Sequence, residues 1–295
     1  MSSLVVDLTS ATDILHYWLS QQIAPEGLTW LDEKRRQISE GAPERVFFTA
    51  FSAVPRYTGK KDLELTYQDW QAVEVIRSGW SPAYWSVDQA ARTLLVLSLP
   101  QEDAEKYLRT LERVFGAADV GELVALYQAL PLLPYPEQHR SRAAEGVRSN
   151  MTAVFNAVAL RNPYPAEYFD NNAWNQMVLK ALFVGSPLHP IQGIDRRANP
   201  ELAQMLIDYA HERWAAQRSV SPELWRPVGQ FCDAATLKDL ERVFANPEPV
   251  QKEAAALACS QSPLPEAQAL LARHPDLQAS IQAGNLTWES FSQSA

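Results

Sequence analysis

The sequence predicts an all-α protein, and three observations carry that reading. Apolar residues recur with the period of a helix face: Tyr107, Leu108, Leu111, Val114 and Phe115 in one stretch, Trp174, Met177, Val178, Ala181 and Leu182 in another. Proline, present 20 times, punctuates such stretches, while glycine is scarce at 11. Strand-type alternation and βαβ units are missing; instead, from about residue 222 onwards, short helical segments follow one another every dozen to twenty residues or so. That rhythm predicts a HEAT-like helical repeat, an α-solenoid of antiparallel helix pairs, with an irregular helical bundle as the alternative. The expected organisation is a single elongated helical domain over residues 1–295, with a sub-boundary near 131–140, where PLLPYPEQHR is the most proline-dense segment.

In order, Thr12 or Asp13 caps a first helix containing Ile14, Leu15, Trp18 and Leu19, closed by Pro25. A second runs through Leu28, Leu31 and Ile38 to Gly41. Arg45 to Val54 supplies an aromatic face, RYTGKKD an exposed basic turn, and Tyr67 to Ile76 a further helix. A rigid loop with Trp80, Pro82, Tyr84 and Trp85 leads to a helix started by Ser86 and Asp88. QEDAEKYLRTLERVFGAA opens with acids, as the helix dipole favours, and Asp119 caps its successor. VRSNMTAVFNAVALR, AEYFDNNAWNQMVLKALFV and NPELAQMLIDYAHERWAAQR read as three helices, the last with Asn199 as N-cap and Pro200 at its first position.

Composition narrows the function classes. A net charge of −9 argues against binding a phosphate backbone, which needs clustered Lys and Arg, so nucleic acid is not an expected partner. Cys232 and Cys259 lack metal-ligand spacing and are expected to be reduced thiols. The N-terminus lacks the basic start and apolar core of a secretory leader, and the longest apolar run, LLVLSL at 94–99, is far short of the roughly 20 residues that span a bilayer. A cytoplasmic protein that is not integral to a membrane is expected. His211 and Glu212 open an H-E-x-x-H pattern, but position 215 is alanine, and the other histidines are scattered, so no metal site or cofactor is assigned. Nucleophile elbows, Walker loops and Rossmann glycine fingerprints are also missing, and no catalytic residue is assigned.

The stretch from Asn150 to Arg226 concentrates aromatic, amide and charged residues at helical spacing, and the candidate site falls there. Asn150, Asn156 and Asn175 interrupt helices in which asparagine is a poor helix former; they bond neighbouring helices or contact a polar ligand. Lys180 reads as an ion pair, or as a Schiff-base lysine if desolvated. Asp208 and Glu212, one turn apart, are surface acids neutralised by Arg213 or Arg218, or an acid/base pair if burial separates their pKa values. Arg196 pairs with Asp195, Asp208 or Glu212, or grips an anion at the following helix N-terminus. With Trp174, Tyr209 and Trp225, these residues form the candidate groove.

The phrases NMTAVFNAVALRNPYPAEYF, AWNQMVLKALFVGSPL, GIDRRANPELAQMLIDYAHERWAAQR and ELWRPVG resemble the EboA domain family, strongly over about 145–230. Genes of that family sit in bacterial clusters with a UbiA-like membrane prenyltransferase and predicted metabolic enzymes. The clusters are linked to secondary metabolites, including movement of a scytonemin precursor towards the periplasm in cyanobacteria. The resemblance therefore implies a non-catalytic binding or scaffold component of a secondary-metabolite biosynthesis or export pathway, whose partners are proteins of the same cluster. It supplies no catalytic residue set. The groove would hold a partner protein or an aromatic or isoprenoid intermediate; the alternative is a small-molecule enzyme with an acid/base or lysine site in the same groove.

Overall fold

The computed structural model describes residues 7–291; the reading of a leader bears partly on residues 1–6, which lie outside them. Seventeen α-helices and four 3-10 turns, with no strand, make up the regular structure of the described residues, so the fold is all-α. Contacts divide the chain into two compact units, one ending at Phe169 and one beginning at Asp170. The division does not fall at 131–140. That segment forms two 3-10 turns, Leu130–Leu132 and Pro136–His139, inside the first unit, where Leu130, Leu132 and His139 are buried.

The first unit runs through α1 (Leu8–Gln22), α2 (Pro25–Ser39), α3 (Glu44–Thr58), α4 (Tyr67–Ile76), α5 (Val87–Leu97), α6 (Ala104–Ala117), α7 (Val120–Ala129), α8 (Arg140–Arg148), α9 (Thr152–Ala159) and α10 (Tyr164–Tyr168). Helix α1 begins earlier than expected: Asp7 is its cap, accepting from the Thr9 and Ser10 amides, and Thr12 and Asp13 lie inside the helix. Asp103 and Asp119 cap α6 and α7 by accepting from the amides of Lys106 and Glu122. Alternate helices α3, α5, α7 and α9 pack in sequence, as stacked helix pairs would, but α1 and α2 also pack on α5 and make the arrangement irregular.

Helix α5 is the centre of this unit, buried along almost its whole length. Two of its residues are charged and still buried: Asp88 is 5% exposed and Arg92 is 3% exposed. They sit one turn apart and pair at 2.6 Å, while Arg92 Nε donates to the Phe51 carbonyl and Asp88 accepts from Ser86 Oγ. Removing one partner of such a pair leaves an uncompensated buried charge.

The second unit comprises α11 (Asn171–Val184), α12 (Pro200–Ala215), 3-10 turns at Pro222–Trp225 and Gly229–Phe231, α13 (Ala234–Phe244), α14 (Pro249–Gln261), α15 (Pro265–Ala272), α16 (Pro275–Gln282) and α17 (Trp288–Phe291). It is arranged around α14, which packs against α13, α15, α16, α17 and both 3-10 turns. The small residues Ala254, Ala255, Ala256 and Ala258 permit that crowding: a Cβ on Gly229 would lie 2.6 Å from the Ala258 carbonyl oxygen. Cys232 and Cys259 are both buried and both free thiols. Burial pushes the Cys259 thiol up to about 12 and raises Cys232 as well.

Asp88→Ala is expected to destabilise the protein by about 3–5 kcal/mol in urea unfolding; a loss under 1 kcal/mol would show that the ion pair is not what satisfies α5. At pH 8 a thiol-disulfide reagent is expected to titrate no cysteine in the folded protein and both after denaturation.

Candidate functional site

The clearest site lies in the first unit, where the loop between α4 and α5 meets the end of α9. The loop is anchored along its length. At its start, Arg77 is buried, donates from Nε to the Pro131 carbonyl at 3.3 Å and pairs with Glu167. In its middle, the Trp80 ring stands edge-on to Trp85 at 5.9 Å and tilts against Trp18 at 6.1 Å. At its end, Leu63 N donates to the Trp85 carbonyl and Val87 N to the Lys61 carbonyl, flanking the isolated Asp62–Ser86 bridge.

Tyr84 projects from this anchored loop. Trp85 N donates to the Pro82 carbonyl at 3.1 Å, closing a turn with Tyr84 in its third position. There φ is +64°, a left-handed value that usually selects Gly or Asn. The tyrosine side chain is 81% exposed. Opposite it, α9 ends at Ala159 and Arg161 adopts φ +55°. Asn162 fixes that ending: its Nδ2 donates to the Tyr127 and Ala157 carbonyls at 3.0 Å each, and its Oδ1 accepts from Tyr164 N.

Two of the four non-glycine residues with positive φ among the described residues therefore face each other, with the Arg161 guanidinium 4.4 Å from the centre of the Tyr84 ring. Each left-handed residue costs on the order of 1–3 kcal/mol, whereas an exposed cation–π pair returns about 0.5–1 kcal/mol. The pair does not offset its own strain; the anchored loop and the Asn162 knot hold it. Beneath it is a pocket of about 160 Å³ whose walls include Trp85, Gln128, Asn156 and Asn162. Gln128 lines it as well, with its Oε1 buried behind the wall and without a hydrogen-bond partner among the described residues. The arrangement offers an aromatic face, a fixed cation and convergent amides.

The candidate residues read from sequence fall in both units. Asn156 lines this pocket. Asn150 is exposed in a break between α8 and α9; the amphipathic spacing reads through that break, but Ser149 Oγ accepts from Met151 N and stops the helix. The second expected helix is likewise two, because Asp170 caps α11 by accepting from Ala173 N at 2.7 Å. In the second unit Trp174 and Trp225 are fully buried, Trp225 stacked on Trp214 at 5.9 Å. Asn175 and the α12 cap Asn199 exchange amide hydrogen bonds at 3.1 and 2.9 Å, the interhelical option.

The charged candidates do not converge. Arg196 is exposed and makes no ion pair with Asp195, Asp208 or Glu212; Asp195 instead holds Arg226 through two bonds, at 2.7 and 2.6 Å. It is Arg197 that lies over Trp174, at 4.9 Å. Asp208 is exposed and accepts from Gln204, and Glu212 is exposed one turn on. Arg213 bonds the Ser219 carbonyl and lies over Tyr209, whose hydroxyl donates to the Leu182 carbonyl at 3.4 Å. Lys180 is half-buried, and desolvation pulls its ammonium below its usual range. Among the described residues no three His, Cys, Asp or Glu side chains gather as a metal-ligand set, and no helix is long and apolar enough to cross a membrane.

The sequence marks Tyr84 as part of a rigid loop without a role, and carries no signal for Gln128 or Arg161. Only the adjacent Asn162–Pro163 stop hinted at an unusual backbone there.

Fold and site together define an all-helical protein with a small, polar, aromatic-capped pocket. The chain belongs to the EboA family: the family model described as metabolite traffic protein EboA matches residues 11–229. The match takes in the whole pocket and reaches well beyond the phrases at 145–230. No curated protein and no solved structure matches the chain.

The left-handed turn can be tested by substitution at Tyr84. Tyr84→Asn, which tolerates positive φ, is expected to leave stability within about 1 kcal/mol of the parent, while β-branched Tyr84→Val loses about 1–2 kcal/mol. Equal stabilities in urea unfolding would refute a left-handed residue at this position.

Proposed function

We propose that this EboA protein is a non-catalytic, cytoplasmic binding component of metabolite traffic. It holds a small aromatic intermediate at the Tyr84–Arg161 pocket and exchanges it with other proteins of the same cluster. The observation that supports this reading is the pairing of two left-handed residues at the rim of a pocket that Trp85, Gln128, Asn156 and Asn162 also line. Strain kept at one place by anchored surroundings is a mark of pre-organisation for a ligand. A planar ring stacks on the exposed Tyr84, and a carboxylate or carbonyl on that ring receives the Arg161 N–H groups.

Size and polarity select between an aromatic and an isoprenoid intermediate. A volume of about 160 Å³ admits a ligand on the order of ten heavy atoms, one ring or two fused rings. An isoprenoid chain fits less well, because its CH₂ groups offer the Arg161 N–H groups at the rim no acceptor.

Titration of the protein with indole-3-acetate, followed by calorimetry, is expected to give a Kd of about 10–100 µM. The neutral indole-3-acetamide binds more weakly, and Arg161→Ala and Tyr84→Asn each lose about tenfold in affinity for the acid. No binding of either compound at 1 mM, or binding unaffected by both substitutions, would remove the support for this pocket.

A further inference from the structure

A second pocket, of about 450 Å³, lies within the second unit, bounded by the end of α11, the following loop, the Pro222–Trp225 turn and the start of α14. His189 and Glu223 line it. His189 Nδ1 is 2.8 Å from Glu223 Oε1, which also accepts from the His189 amide at 3.0 Å, and Glu223 Oε2 accepts from the Leu188 amide at 2.7 Å. Glu223 is buried, and both of its oxygens are taken up by these three donors. It orients the ring and is not itself available to a ligand.

A carboxylate on Nδ1 places the imidazole proton there, which leaves Nε2 as the acceptor of the neutral ring. Nε2 has no hydrogen-bond partner among the described residues. The walls are apolar at Leu182, Pro187 and Val250 and polar at Ser186, Ser221 and Gln251, and Glu248 also lines the pocket. The pocket thus combines a fixed, unpartnered acceptor with an apolar patch, and the two glutamates in its lining disfavour an anion.

We propose that this pocket is a second ligand site, for an uncharged hydroxyl-bearing molecule with an apolar body, a phenol or a comparable alcohol. The hydroxyl donates to His189 Nε2, and the body lies against Leu182, Pro187 and Val250. This site takes a hydrogen-bond donor, whereas the Tyr84–Arg161 pocket takes an acceptor or an anion, so the two differ in ligand class. The site does not depend on the function proposed for the first pocket.

The test uses full-length protein carrying Tyr84→Asn and Arg161→Ala, with ¹⁵N-labelled histidine, so that the first pocket does not contribute. 4-Methylphenol is expected to shift the His189 Nε2 resonance saturably. Toluene, of the same shape without the hydroxyl, leaves it in place, and 4-methylbenzoate acts more weakly than the phenol. His189→Ala, a change at a half-exposed position, is expected to weaken 4-methylphenol binding about tenfold in ligand-detected NMR. Glu223→Gln, if folded, weakens it as well by loosening the ring. No saturable shift up to 10 mM 4-methylphenol, an equal shift with toluene, or unchanged affinity in His189→Ala overturns the proposal.

Discussion

The first unit depends on a helix with no solvated face. Helix α5 packs against α1, α2, α3 and α7, so its polar groups have to be satisfied within the protein. Asp88 and Arg92 meet that constraint together with Ser86 and the Phe51 carbonyl. The same cluster begins the helix: Ser86 N donates to Gln89 Oε1 while its hydroxyl donates to Asp88 at 2.5 Å. Ser86 is also the last residue of the loop that carries Tyr84. The solution to burying α5 therefore fixes one end of the pocket, and the ring contacts of Trp80 with Trp18 and Trp85 fix its middle.

Anchoring on this scale makes the strained pair tolerable. An unanchored loop would relax Tyr84 to negative φ, since the cation–π contact is worth less than the backbone conformation costs. On the other side, Asn162 spends every bond of its amide that the structure shows on the backbone of its own unit, locking α9 to α7 and setting Arg161 at the rim. Asn162 is structural, whereas Asn156, earlier on α9, lines the cavity; the two amides look alike in sequence and differ in where the fold places them.

Three helix starts were legible because a cap is a local device, although α1 starts at Asp7 and not at Thr12 or Asp13. Asp119 and Asn199 each stand where a side-chain oxygen accepts from an amide three residues on, and at Ser86 the Gln89 side chain three residues on accepts from the Ser86 amide; sequence shows that spacing directly. The breaks at Ser149 and Asp170 were hidden because apolar spacing continues through them, and only the cap geometry decides. The site was less legible still. Tyr84 and Arg161 are residues for which a positive φ has no sequence signal, and their stacking is set by tertiary packing. His189 and Glu223 lie 34 residues apart, in a proline-rich loop and a 3-10 turn without helical periodicity. Conversely, much of the aromatic and amide density between Asn150 and Arg226 is core: Trp174 and Trp225 are sealed, and Asn175 is spent on Asn199.

A protein that moves a metabolite must release it, and the proposed pocket suits release. A ligand on the order of ten heavy atoms held by one stacked face and one cation does not reach nanomolar affinity; at a Kd of about 10–100 µM and an association rate near 10⁶ M⁻¹s⁻¹, it leaves at about 10–100 s⁻¹. Exposure of Tyr84 works in the same direction, because the ring is reached without opening a lid. Selectivity then comes from pre-organisation rather than enclosure: the strained backbone holds Arg161 and Tyr84 in one geometry, so a ligand that matches it avoids the ordering cost and one that does not finds no second arrangement to bind.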